Sequence, residues 1–214
     1  MSTKSSPTIT TIPCILYAIL ARESDWAVIF RSGPKRRVQL IRWNTKTDKF
    51  DHGQWLKHKV FERQANLSPC GDKLICMSTY YRKAYRELHR HLGPILIVSR
   101  PPYFTAAAII NVSQSQDSGY FQTKAGQSNT WTNNRRYTLI NSETGEEDIL
   151  GELSWADIDK NNDLLFAKDG QLYRLKPQWK TAAPFDLNQA KLLYDFRLSQ
   201  FTELEAPSWA LEWD

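Results

Sequence analysis

Asp157, Asp159, Asn161 and Asp163 stand at alternate positions in the run WADIDKNNDLLFAKDG (155–170). Oxygen donors at that spacing open a calcium-binding loop, because a hard cation takes carboxylate and carbonyl oxygens. Such a loop needs glycine at its sixth position and glutamate at its twelfth, where this chain has Asn162 and Lys168. The run therefore reads as a strand edge entering a polar turn, and no metal is expected. Cys70, Cys76, His89 and His91 are donors of the zinc type, but C-x5-C with H-x-H matches no finger spacing. They read as a buried thiol and solvated imidazoles. His52 and His58 flank Trp55 in a basic segment. Nucleophilic catalysis has no starting point: there is no G-x-S-x-G elbow, no Gly-rich phosphate loop and no H-E-x-x-H. The expectation is no catalytic residue and no cofactor.

Binding chemistry has better candidates. Lys35, Arg36 and Arg37 form one basic run. Arg82, Arg86 and Arg90 recur every four residues, so with Lys83 they share a helix face, and Tyr80, Tyr81 and Tyr85 interleave with them. Basic residues that bracket aromatics suit a phosphate backbone with base stacking. A solvated helix face, or a match for an acidic protein surface, accounts for the same residues. Trp131 lies between Thr130 and Thr132, close to Arg135 and Arg136, and has the character of an interface anchor. Trp179, in Pro177-Gln178-Trp179-Lys180, is a second candidate of that kind. Trp43, Trp155 and Trp209 fall at similar positions of an internal repeat and are expected in the core or between sheets.

The elements that must position these residues are short and β-rich. Strands are predicted near Cys14–Ala21, Trp26–Arg31, Val38–Trp43, Leu74–Ser78, Ile95–Ser99, Ala106–Val112, Tyr137–Asn141, Leu164–Lys168, Gln171–Leu175, Lys191–Phe196 and Trp209–Trp213. Asp169-Gly170 between two such runs is a two-residue hairpin signal. Tyr80–Leu92 is the one predicted helix. Val112–Arg136 reads as a long polar loop. A repeat runs through the chain as VQLIRWNTKTDKFDHGQWL (38–56), YTLINSETGEEDILGELSW (137–155) and KLLYDFRLSQFTELEAPSW (191–209). The first two copies are followed by a second hairpin, ANLSPCGDKLICMS (65–78) and WADIDKNNDLLFAKDG (155–170). The third copy runs out of chain, and the N-terminal strand Cys14–Leu20 is expected to complete it by pairing the two termini in one sheet.

Leu67-Ser68-Pro69-Cys70-Gly71-Asp72-Lys73-Leu74 resembles the L-S-P-D-G-x-x-L hairpin of TolB-like and tryptophan–aspartate-repeat β-propellers, departing from it at Cys70. The chain as a whole is similar to a recurring group of bacterial proteins. The resemblance implies a fold and no chemistry: an all-β protein, a small β-propeller or propeller-like array of four to five blades with one short helix. Residues 1–12 are expected as a flexible tail, and 13–214 as one domain.

Composition bounds the rest. The chain has 214 residues, 41% of them apolar, with eight Trp. No stretch reaches the roughly 18 apolar residues of a membrane span. Three cysteines and a polar start without the order of a secretory signal suggest a reducing, cytoplasmic setting. Net charge is +5, but residues 1–107 carry 18 Lys/Arg against 7 Asp/Glu, while 108–214 carry 10 against 16. Such a division steers partners more than it holds a fold. The expected function is a non-enzymatic protein-interaction module, an accessory or regulatory subunit of a bacterial complex that takes an acidic protein partner. Nucleic-acid binding and an enzyme with an axial site are the alternatives.

Overall fold

The computed structural model describes residues 11–79, 94–111, 135–140, 147–177 and 186–213. They form four antiparallel sheets. Sheet A is a meander of β1 (Ile15–Leu20), β2 (Trp26–Ser32), β3 (Val38–Asn44) and β4 (Lys49–Leu56). In sheet B, β5 (Lys59–Val60) and β6 (Asn66–Leu67) both pair with β7 (Leu74–Thr79), followed by β8 (Ile95–Ser99) and β9 (Ala106–Asn111). Sheet C is the hairpin β10 (Arg135–Ile140) and β11 (Glu147–Leu153). Sheet D is β12 (Trp155–Ile158), β13 (Leu164–Lys168), β14 (Gln171–Leu175) and β15 (Lys191–Asp195). One helical turn, α1 (Ser208–Leu211), lies near the C-terminus. No helix among the described residues is long and apolar enough to cross a membrane.

The turns follow from their residues. Lys168 pairs with Gln171, which leaves Asp169 and Gly170 as the two-residue turn, and both have positive φ (51° and 78°). That is the geometry in which Asp-Gly matches the twist of the flanking strands. In the Leu67–Leu74 hairpin, the Gly71 amide donates to the Ser68 carbonyl at 2.9 Å. A carboxylate still braces this turn, but it belongs to Asp72, whose Oδ1 accepts from Ser68 Oγ and from the Cys70 thiol, each at 2.7 Å.

Alternation decides what each strand buries. Residues on one face of a strand are two apart. On sheet A, Leu16, Ala18, Ala27, Ile29, Ile41 and Trp43 pack with Trp155, Leu165, Ala167 and Leu172 of sheet D. The opposite face of sheet A presents Val28, Phe30, Val38 and Leu40 to Leu67, Leu74, Cys76, Ile95 and Ile97 of sheet B. Sheet D repeats the scheme: Leu164, Phe166 and Leu175 face Leu150 and Leu153 of sheet C. Sheets A and D are therefore covered on both faces. Each fully buried Ile, Leu or Phe contributes about 1.5–3 kcal/mol.

Two arginines tie sheet A to sheet D. Arg174 on β14 donates to Asp159 Oδ2 at 2.6 Å and Asp163 Oδ2 at 2.9 Å, and reaches across to Asp48 Oδ1 at 2.9 Å and the Thr45 carbonyl in the β3–β4 turn. Arg31 on β2 is wholly buried. Its guanidinium donates to the carbonyls of Gly33 (2.6 Å), Phe196 (3.0 Å) and Ser199 (3.2 Å).

Three expectations are corrected. β1 pairs with β2, not with the C-terminal segment. The termini meet through Arg31, and through the Ile12 amide, which donates to the Arg197 carbonyl at 2.8 Å. The predicted strand Trp209–Trp213 is instead α1 and irregular chain, because residues 199–213 leave sheet D as a strap. The strap's carbonyls at Leu204, Trp209 and Ala210 accept from Gln54, Arg100 and Thr105, which carries it past sheet A to sheet B. Trp43 and Trp155 are buried as expected, but Trp209 is 46% exposed, edge-on to Tyr103. The predicted helix Tyr80–Leu92 and most of the loop Val112–Arg136 lie outside the described residues.

Two substitutions test this packing. A Cβ on Gly53 would stand 1.8 Å from the Pro102 carbonyl oxygen, so β4 can approach that backbone only as glycine. Gly53→Ala should cost about 3 kcal/mol or slightly more in a urea melt, since neither backbone can give way cheaply. Arg174→Met should cost about 3–5 kcal/mol, because Asp159 and Asp163 remain buried without their counter-charge. A loss below about 1 kcal/mol would show that the Asp159 and Asp163 carboxylates do not depend on the guanidinium.

Candidate functional site

A pocket of about 370 Å³ lies where the four sheets converge. β1 supplies Tyr17 to Leu20, with Arg22 just beyond its end; sheet B supplies Arg63 and Ala65 to Leu67; β10 supplies Tyr137; β12 supplies Trp155 to Asp157. The volume falls within the range of small-molecule sites. Its walls are set by the folding pattern itself. Trp155 is 3% exposed and belongs to the core between sheets A and D. Tyr17 packs against both faces' clusters.

The polar groups of the pocket are partly restrained. The Arg63 guanidinium lies 5.0 Å above the Tyr17 ring, and its Nη2 donates to the Ser154 carbonyl at 3.2 Å. Burial pushes the Tyr17 phenol up, and the Arg63 charge opposes this. Asp157 Oδ1 accepts the Ile158 amide at 2.8 Å. The protein around Asp157 raises its carboxyl above the usual range by desolvation, against the pull of that amide. Glu62, next to Arg63 in sequence but not lining the pocket, is also raised by desolvation, with its own backbone hydrogen bond, Arg63 and Lys59 acting in opposition.

The residues singled out in sequence are placed as follows. Asp159 and Asp163 are buried, 6% and 8% exposed, and bind the Arg174 guanidinium; Asp159 Oδ1 also accepts the amides of Asn161 (2.8 Å) and Asp163 (3.0 Å). Their oxygens thus serve a structural ion pair and a turn, while Asp157 faces the pocket instead. Cys76 is buried in β7, where desolvation pushes its thiol up to about 12, whereas Cys70 is exposed in its turn. Among the described residues no group of three or more His, Cys, Asp or Glu is placed to hold a metal ion. Lys35 and Arg36 are exposed in the β2–β3 turn with positive φ. Arg37 stacks on Phe201 of the strap at 3.8 Å. Arg135 and Arg136 are exposed at the start of β10, with Arg136 opposite Glu152 in the ladder. Trp131, Trp179, Arg82, Lys83, Arg86, Arg90, His89 and His91 lie outside the described residues.

Much of the basic excess of the N-terminal half rests on aromatic faces. Arg31 lies over Trp55 (5.1 Å), Arg42 over Trp26 (3.9 Å) and Arg100 over Trp213 (4.9 Å), besides Arg37 and Arg63. Each such contact is worth about 0.5–2 kcal/mol according to its exposure. Tyr17, Arg22, Arg63 and Tyr137 were not singled out in sequence. Each sits in a different repeat unit or turn, and no local pattern joins them. Comparison of the chain with protein-family models, with curated proteins and with solved structures finds no match.

The His52 ring is tilted against Tyr194 at 5.3 Å between ring centroids, and His58 Nδ1 lies 3.3 Å from the buried Ser78 hydroxyl. Both imidazoles are pushed down, by desolvation in each case and additionally by the Arg31 charge at His52. The folded protein thus resists their protonation while the unfolded chain does not. Stability should fall as pH drops below the unfolded imidazole value of about 6.5. Thermal melts from pH 7.5 to 5.5 should show a smaller loss for the His52→Asn, His58→Asn double variant than for the parent. Parallel losses would show that neither imidazole titrates differently on folding.

Proposed function

We propose that this chain is a non-enzymatic protein-interaction module with a propeller-like architecture, an accessory or regulatory subunit of a bacterial complex. The face-to-face order of sheets B, A, D and C supports the propeller-like reading. One observation carries the binding role. The strap displays Phe201, Leu204, Trp209 and Leu211 at 42%, 42%, 46% and 60% exposure. Large apolar side chains grouped on a surface mark sites of protein association. These are also held in place, since the strap's carbonyls are bonded to Gln54, Arg100 and Thr105. A partner would meet fixed anchors and lose little entropy in ordering them.

Beside the anchors runs a groove of about 590 Å³, lined by Trp55, Phe104, Phe201 and Leu204, with Arg37, Lys57, Glu203 and Glu205 at its margin. An apolar side chain of the partner suits the groove. This surface joins Trp131 and Trp179, which lie outside the described residues, as a candidate. Arg135 and Arg136 remain a secondary one.

Leu204→Asp with Leu211→Asp tests the surface, because both side chains are exposed and outside the three buried clusters, so the fold should melt close to the parent. Affinity capture from the native host, with nuclease treatment and mass spectrometry, should recover a protein that the double variant loses. Arg135→Ala with Arg136→Ala should retain it. Capture that survives the strap substitutions would remove this surface, and capture abolished by nuclease would favour the nucleic-acid reading.

A further inference from the structure

The pocket shared by the four sheets has a property that the strap surface does not explain. Side chains of both charge signs line it, Arg22 and Arg63 against Asp157. Among the described residues, ion pairs form at Arg174 and Arg197, and none joins the pocket's arginines to a carboxylate. Arg22, Arg63 and Asp157 are solvent-exposed, so the pocket is open and its charges are reached from the surface. Arg63 is fixed by the Tyr17 ring and the Ser154 carbonyl, and Asp157 by the Ile158 amide. Arg63 and Asp157, opposite in charge and restrained on different segments around one cavity, complement a ligand that carries both signs, and Arg22 beyond the end of β1 adds a second cation.

We propose that this pocket binds a small zwitterion of the amino-acid class, its carboxylate on Arg22 and Arg63 and its ammonium on Asp157. A guanidinium meets a carboxylate through paired N–H donors, and a carboxylate accepts from an ammonium; both bonds are charge-assisted. Tyr17, Tyr137 and Trp155 supply a wall for the ligand's side chain. The cavity of about 370 Å³ is of a size for one such molecule and its hydration. The inference is independent of the strap surface.

Equilibrium dialysis of the full chain against a mixture of the twenty free amino acids, read by chromatography, tests it directly. At least one should be retained in saturable fashion. The retained amino acid is then titrated calorimetrically beside its N-acetyl derivative, which lacks the cation, and its amide, which lacks the anion. Each should bind about tenfold more weakly, the usual effect of losing one charge-assisted bond. Arg22→Ala, an exposed site remote from the core, and Asp157→Asn, nearly isosteric, should each weaken the parent amino acid by a similar factor while the melting temperature holds. Retention of none of the twenty would overturn the proposal. So would affinity indifferent to both substitutions, or affinity that rises in Asp157→Asn, which would mark a simple anion site.

Discussion

Sheet A is the slab on which everything else is laid, and its second strand is the tightest constraint. Ala27, Val28, Ile29, Phe30 and Arg31 are all fully buried. A continuously buried strand usually belongs to a parallel sheet covered by helices. Here the sheet is antiparallel, and the covers are other sheets. Neither face of β2 can be left wet, so sheets B and D are obligatory parts of one core rather than neighbours of convenience. A hairpin alone is marginal in water, and these become stable only by stacking.

The guanidinium groups solve two problems left by this stacking. Sheets that pack face to face meet water at their ends, where turns carry unpaired carbonyls. Arg31 and Arg174 collect such carbonyls, at Gly33, Phe196, Ser199 and Thr45. Arg174 also gathers the carboxylates of Asp48, Asp159 and Asp163, so its single charge is more than met. Arg31 has carbonyl dipoles, the Cys14 side chain and the Trp55 face, and burial lowers its affinity for the proton. A buried pair is costly to form and more costly to break, so such residues specify an arrangement more than they add stability.

The strands and tight turns were readable because their signals are local. Alternation over six residues, Asp-Gly between two runs, and Ser-Pro-x-Gly all act within one hairpin. The repeat was readable too, and its two parts correspond to β3–β4 or β10–β11 followed by β6–β7 or β12–β13. Its third copy misled because β15 keeps the pattern while the chain after Asp195 turns through Phe196–Leu198 and departs as the strap. Arg31 could not be recognised as a core residue, since its carbonyl partners at Phe196 and Ser199 come some 165 positions later. The pocket was hidden for the same reason. Alternating acidic residues at 157, 159 and 163 look equivalent in sequence, and only tertiary structure assigns the first to a cavity and the others to Arg174.

The span between Arg31 and its partners has a consequence for biosynthesis. The first sheet to leave the ribosome is complete after Leu56, yet one of its faces waits for residues 155–196 and its buried cation for 199. During that interval an apolar surface stands open and the Arg31 guanidinium lacks its Phe196 and Ser199 partners. Long-range contacts of this kind slow folding, because the intervening chain must be closed before they reward it. Synthesis of residues 155–199 therefore turns a sheet with one open face into a sealed core, and a nascent chain that has not reached them exposes that face.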